Sequence, residues 1–200
     1  MSQHFEEKAK EWDTEEKKNR ARDIGEAIRQ SIRLDQQMDV MDFGAGTGLL
    51  SEQIAPYVRQ IIAVDTSKAM LDEMEAKEIF KGKLKRIEQD IVESPVELSA
   101  DVIISSLTLH HIHDLNGVFQ QFYSILKDNG KIALADLDKE DGTFHDPGVE
   151  GVHHHGFNRD EFRQVIERNG FTDIQITTVH HIVHDDGKSF PLFLAVATKG

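Results

Sequence analysis

Val40-Met41-Asp42-Phe43-Gly44-Ala45-Gly46-Thr47-Gly48-Leu49-Leu50 runs from an apolar segment through three alternating glycines into the first turn of a helical pattern. Glycine tolerates positive φ and lets the backbone approach a ligand closely, so the spacing predicts a strand, a tight turn and a helix beside a binding crevice. A dinucleotide fingerprint needs G-x-G-x-x-G, but position 49 is Leu and the third glycine comes one place early, at Gly48. Asp42 stands at the strand end just before the turn, where a carboxylate repels a pyrophosphate and favours a cationic ammonium or sulfonium. The pair of features points away from nicotinamide dinucleotides.

Outward from this loop, short β-type runs alternate with stretches of helical spacing. Strands are expected at 39–43, 60–65, 84–88, 101–106, 131–136, 172–181 and 192–198. Ser67, Asp114 and Asn158 are placed as helix N-caps, and Gly130 and Gly170 as residues just past helix ends. Right-handed crossovers between successive strands give a parallel, doubly wound α/β sheet. Too few residues separate the last two strands for a crossover helix, so they should pair as an antiparallel hairpin. Before the first strand, Ala21, Ile24, Ile28 and Ile32 form one apolar stripe of a helix, with Asp13 as its expected cap. The chain reads as a single domain over 1–200, with 1–38 as an N-terminal lid and helical extension.

The 200 residues carry 23 Lys plus Arg against 36 Asp plus Glu, a net charge of −13. Such a balance repels phosphate backbones, and no dense basic cluster overrides it, so no nucleic acid is expected as partner. The absence of cysteine excludes disulfides, thiolate metal sites and a thiol nucleophile. No segment is apolar enough for a membrane span, and Met1 is followed by charged residues rather than a signal core, so a cytoplasmic location is expected.

Two further strand ends carry acids. Asp65 closes Ile61-Ile62-Ala63-Val64-Asp65, where a carboxylate can accept both hydroxyls of a ribose. Asp90 follows the next strand in Gln89-Asp90-Ile91 and can take the exocyclic amine of adenine, with the Ile91 amide serving a ring nitrogen. Met70 suits either a base face or plain core packing.

The stretches VMDFGAGTGLL, AVDTSKAML, EQDIVE, and DVIISSLTLHHIHD followed by LKDNGKIALAD, taken in that order, resemble the class I S-adenosylmethionine-dependent methyltransferases, from Phe5 to Lys199. The branch most similar is the small-molecule one akin to quinone-biosynthesis methyltransferases. The resemblance implies a Rossmann-like sheet of seven strands, mostly parallel with a final antiparallel strand. It also implies S-adenosylmethionine as cofactor and S-adenosylhomocysteine as product. By position it implies Asp42, Gly44, Ala45, Gly46 and Gly48 around the methionine moiety, Asp65, Thr66 and Ser67 at the ribose, Asp90 and Ile91 with Met70 at the adenine, and Ser106 and Leu107 beside the sulfonium. The N-terminal FEEKAKEWD would close over the cofactor. A non-catalytic S-adenosylmethionine or S-adenosylhomocysteine binder, acting as sensor or scaffold, is the alternative.

Methyl transfer from a sulfonium needs an aligned nucleophile and exclusion of water, with a base optional. The amine-methylating branch shows an acid or amide, two prolines and an aromatic after strand four. This chain has Ser105-Ser106-Leu107-Thr108-Leu109 there, and a small-molecule acceptor is expected. Ten of the eleven histidines fall in three groups, at 110–113, 145–155 and 180–184, all expected on one rim of the sheet. On one face of an extended segment, where residues two apart share a side, His111 with His113, His153 with His155, and His180 with His184 can each present a pair of imidazoles that binds a transition metal, binds an anion or supplies a base. His110 and His111 are assigned as the catalytic pair because they follow the residues expected beside the sulfonium. No metal ligand is assigned. The glycine-rich stretch 138–157 is expected to be a mobile substrate cover.

Overall fold

A computed structural model describes residues 9–145, 149 and 151–200. Seven strands, β1 (Asp39–Phe43), β2 (Gln60–Asp65), β3 (Leu84–Glu88), β4 (Ala100–Ser106), β5 (Leu126–Leu137), β6 (Phe171–Val183) and β7 (Ser189–Lys199), form one sheet in the order β3-β2-β1-β4-β5-β7-β6. The first five pair in parallel, while β7 runs antiparallel to both of its neighbours, β5 and β6. The final antiparallel strand is thus as expected, and β6 points the same way as the parallel strands.

Among the described residues five α-helices cover the sheet, α1 (Glu15–Ser31), α2 (Leu49–Ile54), α3 (Lys68–Glu75), α4 (Leu115–Ile125) and α5 (Arg159–Arg168). Alternate residues of each strand feed opposite faces. Val40, Ile61, Val102 and Ala133 join Ile24, Ile28, Ile54 and Leu71 in one core, under α1, α2 and α3. Met41, Ile62, Ile103 and Ile132 join Phe119, Phe122, Phe162 and Ile166 in the other, under α4 and α5. Burial on both faces explains why β1 is buried throughout and reads as an unbroken apolar run.

Helix ends follow local chemistry. The side chains of Ser67, Asp114 and Asn158 accept backbone N–H bonds in the first turns of α3, α4 and α5. Gly170, at φ +91°, closes α5. Two expectations are corrected. The cap of α1 is Thr14, whose hydroxyl accepts the Lys17 N–H, and Asp13 is released for another contact. Gly130 does not end a helix: α4 stops at Ile125, and Gly130 lies within β5 after Asn129, which takes the positive φ of +60°. Gly130 is needed for space, since a Cβ there would sit 2.8 Å from the Lys127 carbonyl.

Candidate functional site

The order β3-β2-β1-β4 lines up four strand-end turns on one rim, and the direction of winding reverses between β1 and β4. Open α/β sheets bind ligands in the crevice at such a reversal. Residues 44–48 form the turn after β1. The N–H groups of Gly44 and Ala45 both donate to the Val64 carbonyl, at 2.9 and 3.1 Å, which fastens the turn to β2. Gly44, Gly46 and Gly48 all have positive φ. A Cβ on Gly44 would lie 2.3 Å from Thr108 Oγ1, and one on Gly48 would lie 2.7 Å from Met74 Cγ, so these two glycines serve close packing. A Cβ on Gly46 would meet nothing within 4 Å, so that glycine faces open space.

Asp65 ties two turns together: Oδ2 accepts the Gly46 N–H and Oδ1 accepts the Ser67 N–H, both at 2.8 Å. Asp42 is buried beneath the turn and accepts the Ser51 hydroxyl at 2.6 Å. Burial pushes the Asp42 carboxyl up to about 7, with repulsion from Asp65 adding to the rise and the Ser51 hydrogen bond opposing it. Ser51, in α2, escaped the sequence reading.

Thr66 is exposed, whereas Ser67 is buried and accepts the Met70 N–H; Met70 itself is buried. The turn after β3 is joined to β2 by the Gln89 N–H donating to the Asp65 carbonyl at 3.0 Å. There Asp90 is exposed and its Oδ1 accepts the Val92 N–H, while Ile91 is fully buried. At the end of β4, Ser106 is half-buried and Leu107 has a φ of +54°. A left-handed conformation costs a branched residue about 1–2 kcal/mol, and such strain concentrates at functional turns. The next residue, Thr108, is the one pressed against Gly44.

Asp13 reaches this crevice from the N-terminal segment. It accepts the Thr47 hydroxyl, and Lys77 bridges Asp13 and Glu52 at 2.6 Å to each. Residues 5–8 of the expected covering segment lie outside the described residues, but residues 9–13 are held against the glycine turn by this contact.

The histidines group differently from the sequence pairing. That pairing assumed extended segments, but Leu109–His111 is a 3₁₀ turn. His110, His111 and His145 each bring one potential ligand atom within 4.8 Å of the others. His113 instead meets His153, with ring centroids 5.3 Å apart, and His154 Nε2 donates to the Ile112 carbonyl at 2.9 Å. His155 approaches Glu140, His180 bonds Asp23 at 2.7 Å, and His184 stacks on Phe144. The described ends of the stretch 138–157 are anchored: Lys139 N–H donates to the Phe157 carbonyl, Phe157 N–H to the Leu137 carbonyl, and the N–H groups of His153 and His154 to the His110 carbonyl. Pro147 and Gly148 lie outside the described residues.

His110 is buried, and its Nδ1 donates to Asp136 Oδ1 at 2.7 Å. Asp136 is fully buried at the end of β5 and also accepts the Leu137 N–H. His111 Nδ1 donates to the Gly151 carbonyl at 2.9 Å. Burial, with repulsion from His110, holds His111 down at about 4, and burial lowers His145 as well. Asp136 was missed, although an acid ending an apolar strand is the same signal that marked Asp42 and Asp65.

The sequence pattern of a family described as a methyltransferase domain matches residues 15–176. An uncharacterised methyltransferase of Schizosaccharomyces pombe is 30% identical over 141 residues, covering 60% of this chain and 48% of that protein. The chain thus spans about half the length of that relative. Among solved structures, the DhpI–SAH complex superposes with a TM-score of 0.78 at 14% identity, covering 99% of this chain and 94% of that one. Phosphoethanolamine N-methyltransferase 2 of Haemonchus contortus, in complex with phosphomonomethylethanolamine and S-adenosylhomocysteine, gives a TM-score of 0.71 at 17% identity, covering 88% and 52%. With four-fifths of its length matched, and with the sheet order and rim just described, the chain belongs to the methyltransferase-domain family and has the fold of the class I S-adenosylmethionine-dependent methyltransferases.

Proposed function

We propose that this protein transfers the methyl group of S-adenosylmethionine to a small-molecule acceptor and releases S-adenosylhomocysteine. The observation that carries the reading is Asp65, whose carboxylate closes β2 and joins the glycine turn to the next strand end, at the position where a ribose would lie. Asp42 supplies negative charge beneath the methionine moiety, next to Gly44, Ala45, Gly46 and Gly48. Thr66 and Ser67 border the ribose, and Asp90, Ile91 and Met70 the adenine. Ser106 and the strained Leu107 stand beside the sulfonium. The acceptor's lone pair forms the new bond to the methyl carbon, the C–S pair stays on sulfur, and the acceptor gives up a proton. His110 and His111 follow Leu107 by three and four residues and promote that proton loss. The net charge of −13 and the absence of a Pro-Pro-aromatic sequence after β4 favour a small acceptor over nucleic acid. Among the described residues no helix is long and apolar enough to cross a membrane.

Calorimetric titration with S-adenosylmethionine, S-adenosylhomocysteine and NAD tests the reading. Micromolar binding of the first two and none of NAD is expected. Absence of binding by folded protein overturns it. His110→Ala with His111→Ala should spare cofactor affinity and depress turnover once an acceptor is in hand.

A further inference from the structure

Two buried polar atoms among the described residues have no hydrogen-bond partner, His110 Nε2 and His145 Nε2, and both belong to the same three-ring cluster. A buried polar atom left unpaired is costly, and its persistence asks for an explanation in a ligand. The ring centroids stand 4.1 Å apart for His110 and His111, 5.1 Å for His110 and His145, and 5.4 Å for His111 and His145.

We propose that His110, His111 and His145 bind one divalent transition-metal ion through their Nε2 atoms. The tautomers are dictated by neighbours. The Nδ1 of His110 donates to a carboxylate and the Nδ1 of His111 to a carbonyl, so in each neutral ring the lone pair lies on Nε2. One cation offers a partner to both of the unpaired ring nitrogens together. Around a tetrahedral ion with N–metal bonds of about 2.0–2.1 Å the nitrogens lie about 3.4 Å apart; one ring nitrogen of each histidine already lies within 4.8 Å of the others, so movements of the rings alone can close the site.

The surrounding charges fit a cation. Asp136 orients His110, the carboxylate–imidazole arrangement that supports metal-bound histidine. Glu140, with a side chain only 8% exposed, accepts the N–H groups of Gly142, Thr143 and Phe144 and so fixes the turn that carries His145. Two carboxylates thus stand near three neutral ligands. Imidazole ligands without thiolates suit Zn²⁺ and Co²⁺, and three protein ligands leave a position for an oxygen. Resting on the methyltransferase reading, an acceptor oxygen bound there loses its proton to solvent more readily, so the histidines aid deprotonation without taking the proton themselves.

Chelator-treated full-length protein titrated with Co²⁺ should show one equivalent bound, with visible bands of low-coordinate cobalt that Zn²⁺ abolishes. His110→Ala, His111→Ala and His145→Ala should each weaken Zn²⁺ binding by at least about 100-fold, and Asp136→Asn by about 10–100-fold. His153→Ala with His155→Ala should leave it unchanged. Should His110→Ala fail to fold, His145→Ala, with a less buried ring, carries the test. No stoichiometric binding by folded wild-type protein, or undiminished binding by His145→Ala, overturns the site. A parallel titration with S-adenosylmethionine separates the two claims. Cofactor binding without metal binding refutes the ion alone, and metal binding without cofactor binding refutes the methyltransferase reading alone.

Discussion

Around the glycine turn, the carboxylates are answered by donors from nearby turns and helices: Asp65 by the Gly46 and Ser67 N–H groups, Asp42 by Ser51. Around the histidines on the same rim, Asp136 is also answered, but two buried ring nitrogens are left without a hydrogen-bond partner among the described residues. The cofactor side is therefore completed by the chain's own backbone, and stands ready for a ligand that adds bonds to groups already placed. The histidine side is assembled from two separated segments and is incomplete until something supplies a charge or donor to it. That contrast accounts for what each side tolerates.

The largest expected effect lies at Gly44. Gly44→Ala drives a Cβ into Thr108 and imposes φ +69°, and should cost about 2–5 kcal/mol in urea unfolding, from overpacking and left-handed strain together. Gly46→Ala faces open space and should cost only the strain, about 1–2 kcal/mol. Equal losses at the two positions would break the distinction between packing and ligand-facing glycines. Next in size, Asp65→Ala should weaken S-adenosylmethionine by about 1.5–3 kcal/mol by calorimetry. It should also lower the melting temperature, because the carboxylate links two turns; unchanged affinity removes Asp65 from the ribose.

The pH dependence sharpens the cofactor side. In the free protein Asp42 is half-ionised near 7, while a bound cation favours the carboxylate, so binding releases a proton. S-adenosylmethionine affinity should rise by about tenfold between pH 6 and 8, as the ionised fraction grows, and Asp42→Asn should flatten the profile. For folding the sign is opposite. The folded-state value is raised above the unfolded one of 3.8, so the contribution of Asp42 to stability is fullest at acid pH and is lost as pH rises through about 7. The smallest effects concern the N-terminal contact. Thr14→Ala removes a cap and should cost about 1 kcal/mol of stability with cofactor affinity intact. Asp13→Ala frees the Thr47 hydroxyl and leaves Lys77 paired with Glu52 alone, and should lower affinity a few-fold, by calorimetry, with little change in melting.

Local patterns carried the strands and the glycine turn because their causes are local. The run Val40 to Phe43 is buried on both faces, and alternating glycines meet the positive φ the turn demands. The antiparallel pairing of β6 and β7 followed from the length of their connection. Asp13 was misread because its neighbour Thr14 offers an equally good cap, and only packing of the segment on Thr47 distinguishes them. Histidine pairing failed for a related reason: spacing by two is informative in a strand, and Leu109–His111 is a 3₁₀ turn.

The sequence by itself determined the α/β alternation, the order of acids at Asp42, Asp65 and Asp90 along successive strand ends, and the cysteine-free ligand set. Each is a matter of period, turn chemistry or composition within a few residues. Only the tertiary structure decided that Thr108 fills the space over Gly44, that Asp136 holds His110, and that His145 joins His110 and His111 while His113 turns to His153. Those contacts join segments tens of residues apart, and which side chains converge there depends on strand order and the winding of the rim, which no local pattern encodes.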